Sequence, residues 1–232
     1  VKNLSVCYLP AQWRAFRPDS LEPAVCVVID VIRATTTIAA ALARGASGVR
    51  PVAGVAEAEM LKAQQPGRIL AGERHGVALP GFDLGNSPRA LPPETIGGRE
   101  IILTTTNGTQ ALAACRGARE VLTCALVNLT ATAEKLRALG PPWMIVCAGF
   151  EGDFGLDDAI VAGALAEALD EPSPFTSLYR SVRGDLTATL LGSQAGQELV
   201  KIGLRDDVPF CAEIDRFGLV PMLGEDGVLR AG

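Results

Sequence analysis

Short apolar runs, each closed abruptly by polar or charged residues, recur along the chain. Val25-Cys26-Val27-Val28-Ile29 ends on Asp30, with Arg33 just beyond. Ile69-Leu70-Ala71-Gly72 ends on Glu73 and Arg74, and Ile101-Ile102-Leu103 on Thr104-Thr105-Thr106-Asn107-Gly108-Thr109. Met144-Ile145-Val146-Cys147 leads to Gly149, Asp153, Asp157 and Asp158. Runs of this length bounded by turn signals read as buried strands. In open α/β sheets, ligands sit beyond the carboxyl ends of the strands. If the four runs share one sheet, their polar tails meet in one cleft.

The full pattern predicts strands over 4–8, 25–30, 49–52, 68–72, 100–104, 120–122 continuing into 125–127, and 143–148. Helices are predicted over 35–44, closed by Gly45, over 56–65, stopped by Pro66-Gly67, and over 109–115. A further helix over 131–139 takes Asn128 or Thr130 as its cap and stops at Pro141-Pro142. Asp157-Asp158 opens a helix whose apolar face is Ile160, Val161, Ala164, Leu165, Ala168 and Leu169. Residues 76–93 form a long loop, of a kind that is usually functional, and 149–155 a glycine-rich acidic one. The remainder is mostly helical, with Leu219-Val220-Pro221 as an edge strand. Alternation of this kind predicts a layered α/β/α fold with a mixed, largely parallel sheet. It fits one α/β domain over 1–232, with room for two subdomains.

Composition narrows the function. Hydrophobic residues make up 48% of the chain and charged residues 20%, enough for a substantial core. The formal net charge of −5 argues against nucleic acid as a partner, which needs a basic face. A small anionic substrate stays open, because a few local arginines outweigh an average. No run reaches the length of a membrane span, and Val1-Lys2-Asn3-Leu4 opens no apolar leader. The expectation is a cytoplasmic protein without membrane contact, and its apolar helices favour a homodimer. None of the cysteines at 7, 26, 115, 124, 147 and 211 form a Cys-x-x-Cys pair. They read as reduced thiols in apolar runs rather than as zinc ligands.

Several residues carry two readings. Asp30 at the end of a buried strand is costly unless paired or bound to a cation: either it holds Mg²⁺ while Arg33 holds phosphate, or the two pair with each other. Thr35-Thr36-Thr37 and the 104–109 turn are anion-ready helix starts or ordinary caps. His75, the single histidine, is an acid–base candidate or a surface residue. Asp157-Asp158 completes a helix dipole or offers hard oxygens to Mg²⁺. The chain contains no Walker phosphate loop, dinucleotide fingerprint or Gly-x-Ser-x-Gly elbow.

Taken in order, Asp30-Val31-Ile32-Arg33-Ala34-Thr35-Thr36, Gly72-Glu73-Arg74, Gly81-Phe82-Asp83-Leu84-Gly85-Asn86-Ser87-Pro88, the 104–109 block and the stretch from Cys147 to Asp158 resemble the 2-phosphosulfolactate phosphatase family. Two positions depart from its pattern: His75 stands where a small amide residue is expected, and Asp157 where Glu is expected. The resemblance implies a Mg²⁺-dependent phosphatase that converts 2-phospho-3-sulfolactate to 3-sulfolactate and phosphate on the way to coenzyme M. Carried onto this chain, it implies Mg²⁺ on Asp30 and Asp158. Phosphate would lie on Arg33, Arg74 and the turn of Thr105, Thr106, Asn107, Gly108 and Thr109. Asn86 and Ser87 would orient the organic acid, and Glu73 would be a base or a second metal ligand. Covalent attack by Asp30 or Cys147 ranks below direct attack by water. The alternatives are a non-catalytic anion-binding protein and a Mg²⁺-dependent lyase on a related acid.

Overall fold

Every one of the four apolar runs becomes a strand of one ten-stranded sheet in a computed structural model, which describes residues 3–232. In chain order the elements are β1 (Leu4–Cys7), α1 (Pro10–Trp13), α2 (Pro18–Leu21), β2 (Val25–Ile29), α3 (Ala34–Ala43), β3 (Gly48–Pro51) and α4 (Val55–Gln64). Then come β4 (Ile69–Arg74), β5 (Val77–Ala78), α5 (Pro93–Ile96), β6 (Glu100–Thr104), α6 (Gly108–Ala114) and β7 (Glu120–Cys124). After a 3₁₀ turn (Leu126–Asn128) follow α7 (Leu129–Leu139), β8 (Trp143–Cys147), α8 (Leu156–Ala168), α9 (Thr176–Val182), α10 (Leu186–Gly192), α11 (Gln194–Lys201), α12 (Asp207–Cys211), β9 (Pro221–Leu223) and β10 (Leu229–Ala231).

The strand order is β1-β8-β2-β7-β9-β10-β3-β6-β4-β5. β2 pairs in parallel with both β8 and β7, and all of its residues are buried. A strand covered on both faces reads as a continuous apolar run, which is why Val25–Ile29 shows no alternation. On the other side, β6 pairs in parallel with β3 and β4. Alternate residues there face opposite layers. Ala71, Ile101 and Leu103 face Ile38 and Ala41 of α3, while Leu70 and Ile102 join Val52 and Ala58 under α4. Helices therefore cover both faces, as the alternation predicts. From Ala34 to Leu42, α3 is buried all round, as an interior helix must be. It lies against β3, β7 and β9, across the middle of the sheet.

The two parallel blocks run in opposite senses, because β7–β9, β9–β10 and β10–β3 are three successive antiparallel junctions. Opposite senses would place the ends of β2 and β6 at opposite rims of a flat sheet. Sheets twist by about 20–25° per strand, so the five steps from β2 to β6 turn them by about 100–125°. Rotation of that size turns the two ends toward each other, and Gly108, just past β6, lies against Asp30, just past β2.

Three local expectations are corrected. Residues 125–127 do not extend β7. Asn128 Oδ1 accepts from Ala125 N at 2.9 Å, and Asn128 Nδ2 donates to the carbonyls of Thr123 and Leu219, which turns the chain into the 3₁₀ segment. Asn128 is thus engaged upstream, and the first turn of α7 is held instead by Asp215, whose carboxylate accepts from Thr130 N at 2.7 Å and Thr130 Oγ1 at 2.6 Å. Finally, β9 is no edge strand. It lies between β7 and β10, and a tight turn with Gly227 at φ 77° folds β10 back onto it. Among the described residues no helix is long and apolar enough to cross a membrane, and all six cysteines are buried and free.

Asn128→Ala is expected to leave the Ala125 N–H and the Leu219 carbonyl without their partner. Each buried group so stranded costs about 1–3 kcal/mol, so urea unfolding should show a loss of about 2–6 kcal/mol. An unchanged midpoint would contradict this role.

Candidate active site

Beyond the ends of β2, β4, β6 and β8 lies a cavity of about 70 Å³. Asp30, Arg33, Glu73, Asn86, Thr106, Asn107, Asp157 and Asp158 line it. The mouth is formed by His75, Phe150 and Glu151 on one side and by Ala195, Glu198 and Leu199 of α11 on the other. A larger groove of about 580 Å³ beside Arg50, Arg116 and Arg119 is open and mixed in charge. It holds no cluster of buried ionisable groups, so the smaller cavity is the candidate site.

Each acid in the cavity is fixed by backbone donors from a neighbouring element. Asp30 Oδ1 accepts from Ala34 N at 3.1 Å, the first residue of α3. Its Oδ2 lies against Gly108, where a Cβ would come within 2.6 Å. Gly108 is therefore glycine for space, and this contact joins the two halves of the sheet. Asp158 accepts from Val31 N and from Gly149 N, both at 2.9 Å, tying the end of β2 to the end of β8. Gly149 has φ 75°, and a Cβ there would meet the Asp153 carbonyl at 2.4 Å. Glu73 accepts from Thr106 N and Gly76 N, both at 2.7 Å, and from the Thr106 hydroxyl at 3.2 Å. Both of its oxygens thus brace loops, the Thr106 turn on one side and the Gly76 turn on the other.

Arg33 does not pair with Asp30. Its Nη1 donates to Asp207 Oδ2 at 2.9 Å and its Nη2 to the Gly76 carbonyl at 2.7 Å. Both side chains of the Arg33–Asp207 pair are only 3% exposed. Asp207 Oδ1 also accepts from the Ser87 hydroxyl at 2.7 Å.

Burial and mutual repulsion act on the acids. Burial above all, with repulsion from Glu73 and Asp157, raises Asp30 to about 7 against the pull of the Ala34 N–H. Asp157 is raised to about 6 by burial. Asp158 is raised well above the ordinary range, first by burial and then by Asp157 and Asp30. Among the described residues the one permanent cation lining the cavity is Arg33, and Asp207 already compensates it.

Some expected site residues lie off the wall. Arg74 folds back, with Nη1 donating to the Glu73 carbonyl at 2.6 Å and Nη2 to Thr104 Oγ1 at 3.1 Å. Thr105 and Thr109 bond each other, each backbone N–H to the other's hydroxyl at 3.2 Å. Ser87 is turned to Asp207, and Gly108 packs on Asp30. Thr35, Thr36 and Thr37 donate their hydroxyls to the carbonyls of Asp30, Val31 and Asn86, which is capping and bracing. His75 sits at the mouth, 77% exposed, with Nδ1 3.8 Å from Glu151. Cys147 is fully buried and its thiol is pushed well above its ordinary value by burial, a setting that disfavours the reactive thiolate. Asn86 stays in play: it is 4% exposed, and its Oδ1 has no hydrogen-bond partner. Sequence reasoning passed over Asp207 and preferred Asp158 to Asp157. The signal for Asp207 was slight, a carboxylate directly before Val208-Pro209-Phe210.

A family model described as 2-phosphosulpholactate phosphatase matches residues 14–226. A probable 2-phosphosulfolactate phosphatase of Synechococcus sp. (strain CC9605) is 41% identical over 99% of this chain and 99% of its own. Relatives with the same name from Prochlorococcus marinus (strain MIT 9303) and Synechococcus sp. (strain WH7803) are 41% and 43% identical. They cover 92% and 90% of this chain and 95% and 90% of their own.

The raised acids fix a sign for stability against pH. An ordinary Asp titrates near about 4, so between about pH 4 and pH 7 the folded, metal-free protein binds protons that the unfolded chain does not. Stability contributed by these groups therefore falls as pH rises through that window. In chelator, the thermal midpoint is expected to drop from about pH 5 to about pH 8, and Asp30→Asn should raise it at the upper end and flatten the slope. Parallel profiles for the two proteins would contradict the assignment.

Proposed function

We propose a function from one premise: the chain belongs to the 2-phosphosulfolactate phosphatase family. On this reading it hydrolyses a small anionic phosphate monoester, 2-phospho-3-sulfolactate, to 3-sulfolactate and inorganic phosphate, with Mg²⁺ as cofactor. The observation that carries the reading is a cavity beyond four strand ends in which buried carboxylates face one anchored guanidinium.

The donor set suits a hard divalent cation. Asp30 and Asp158, with Asp157 beside them, would hold Mg²⁺ through carboxylate oxygens. Among the described residues no group of three or more His, Cys, Asp or Glu is placed to hold a metal ion. Mg²⁺ usually takes only one or two protein carboxylates and would complete its shell here with phosphate oxygens and water. When bound, the ion supplies positive charge at the phosphoryl oxygens, where the transition state gathers negative charge.

The remaining work belongs to the chain. Arg33 lines the cavity and keeps N–H groups that make no hydrogen bond among the described residues, which would serve as phosphate donors. Asn107 adds polar contact from the 104–109 turn. Asn86, with an amide that has no partner, orients the organic part of the ester. Glu73, whose oxygens already hold three donors, keeps the Thr106 and Gly76 turns in place. It is the positioning member of the cluster, and the proton of the attacking water passes to one of the buried aspartates.

Phosphate release from a panel of esters that includes 2-phospho-3-sulfolactate tests this directly. Release is expected with Mg²⁺ and lost in chelator, and Asp30→Asn should lower kcat by about 10²–10³-fold. Mg²⁺ should also raise the thermal midpoint of the parent protein at about pH 8 and leave that of Asp30→Asn unmoved. Release indifferent to chelator would remove the metal from the account, and no release from any ester would favour a binding protein or a lyase.

A further inference from the structure

We infer that Asp207 is a positioning residue that aims Arg33 into the cavity, and that the C-terminal helical layer thereby takes part in phosphate recognition. This rests on the reading that Arg33 holds the phosphate. Asp207 opens α12 and stands behind Arg33, away from the cavity wall. Its two oxygens divide between two tasks, Oδ2 on Arg33 Nη1 at 2.9 Å and Oδ1 on the Ser87 hydroxyl at 2.7 Å. The Gly76 carbonyl holds Arg33 Nη2 at 2.7 Å, so the planar guanidinium is pinned at two points. A guanidinium so fixed presents its remaining N–H groups in one orientation. The same carboxylate locks the loop that carries Asn86, the residue before Ser87.

Charge and geometry predict opposite outcomes. By charge alone, removing an acid behind the phosphate site strengthens anion binding. By position, removing the acceptor frees Arg33 and weakens it. Asp207→Asn keeps an acceptor for Arg33 and loses the charge. Asp207→Glu keeps the charge and displaces it by one methylene. Asp207→Ala loses both.

The test is the affinity of inorganic phosphate, by calorimetry with Mg²⁺ present and as a product inhibitor, for variants whose circular dichroism matches the parent. Asp207→Ala and Asp207→Glu are expected to weaken phosphate by about tenfold or more, with Asp207→Asn losing less. Asp207→Ala should add less than about twofold to the loss seen in Arg33→Gln, because the two act as one unit. If the Ala variant does not fold, the order of Glu against Asn decides. Tighter phosphate binding in Asp207→Asn, a fully retained affinity in Asp207→Glu, or full additivity with Arg33→Gln would overturn the inference alone. An Arg33→Gln protein that binds phosphate as well as the parent would overturn both this inference and the functional reading beneath it.

Discussion

Asp30, Asp157 and Asp158 are held together in a small cavity whose one permanent cation among the described residues, Arg33, is already matched by Asp207. Carboxylates in that position are unfavourable in their charged form, and burial holds Asp30 near 7 and Asp157 near 6. A site of this sign repels a phosphate ester unless something compensates it. The protein spends backbone structure on keeping the acids in place all the same: Ala34 N on Asp30, Val31 N and Gly149 N on Asp158. On the proposed reading, a divalent cation there would neutralise the acids and supply the attraction for phosphate that the chain lacks.

The architecture serves that convergence. Two parallel blocks of opposite sense are joined through the antiparallel β9–β10 ribbon, and residues past their carboxyl ends line one cavity. The buried, alanine-rich α3 fills the concave middle, where larger side chains would hold the blocks apart. Gly108 then lets the first turn of α6 touch Asp30 directly. Acids and donors from β2, β4, β6 and β8 therefore share a cavity although their strands are not all neighbours.

Much of this was legible in the chain, for physical reasons. A strand buried on both faces must be apolar throughout, so β2, β6 and β8 announced themselves. A carboxylate at the end of such a strand must have a purpose, which singled out Asp30. The alternation announced a largely parallel sheet, but the opposite sense of its two blocks was not legible, because a fully apolar run carries no mark of the direction in which its neighbour runs. Asp207 was not legible either. It lies 174 residues from Arg33, in a helical stretch where an acid at a first turn is ordinary. Arg74, Ser87, Thr105 and Thr109 show what residue type alone does not reveal. Their residue types suit phosphate, but backbone and side-chain neighbours within the fold claim their polar atoms first.

The most direct measurement is titration of inorganic phosphate into the folded protein by calorimetry, at about pH 8, with and without Mg²⁺. If uncompensated acids govern the cavity, phosphate binds only when the ion is present, and the gain disappears in Asp30→Asn. Equal binding of phosphate in chelator and in Mg²⁺ would mean that Arg33 alone suffices and would contradict the account.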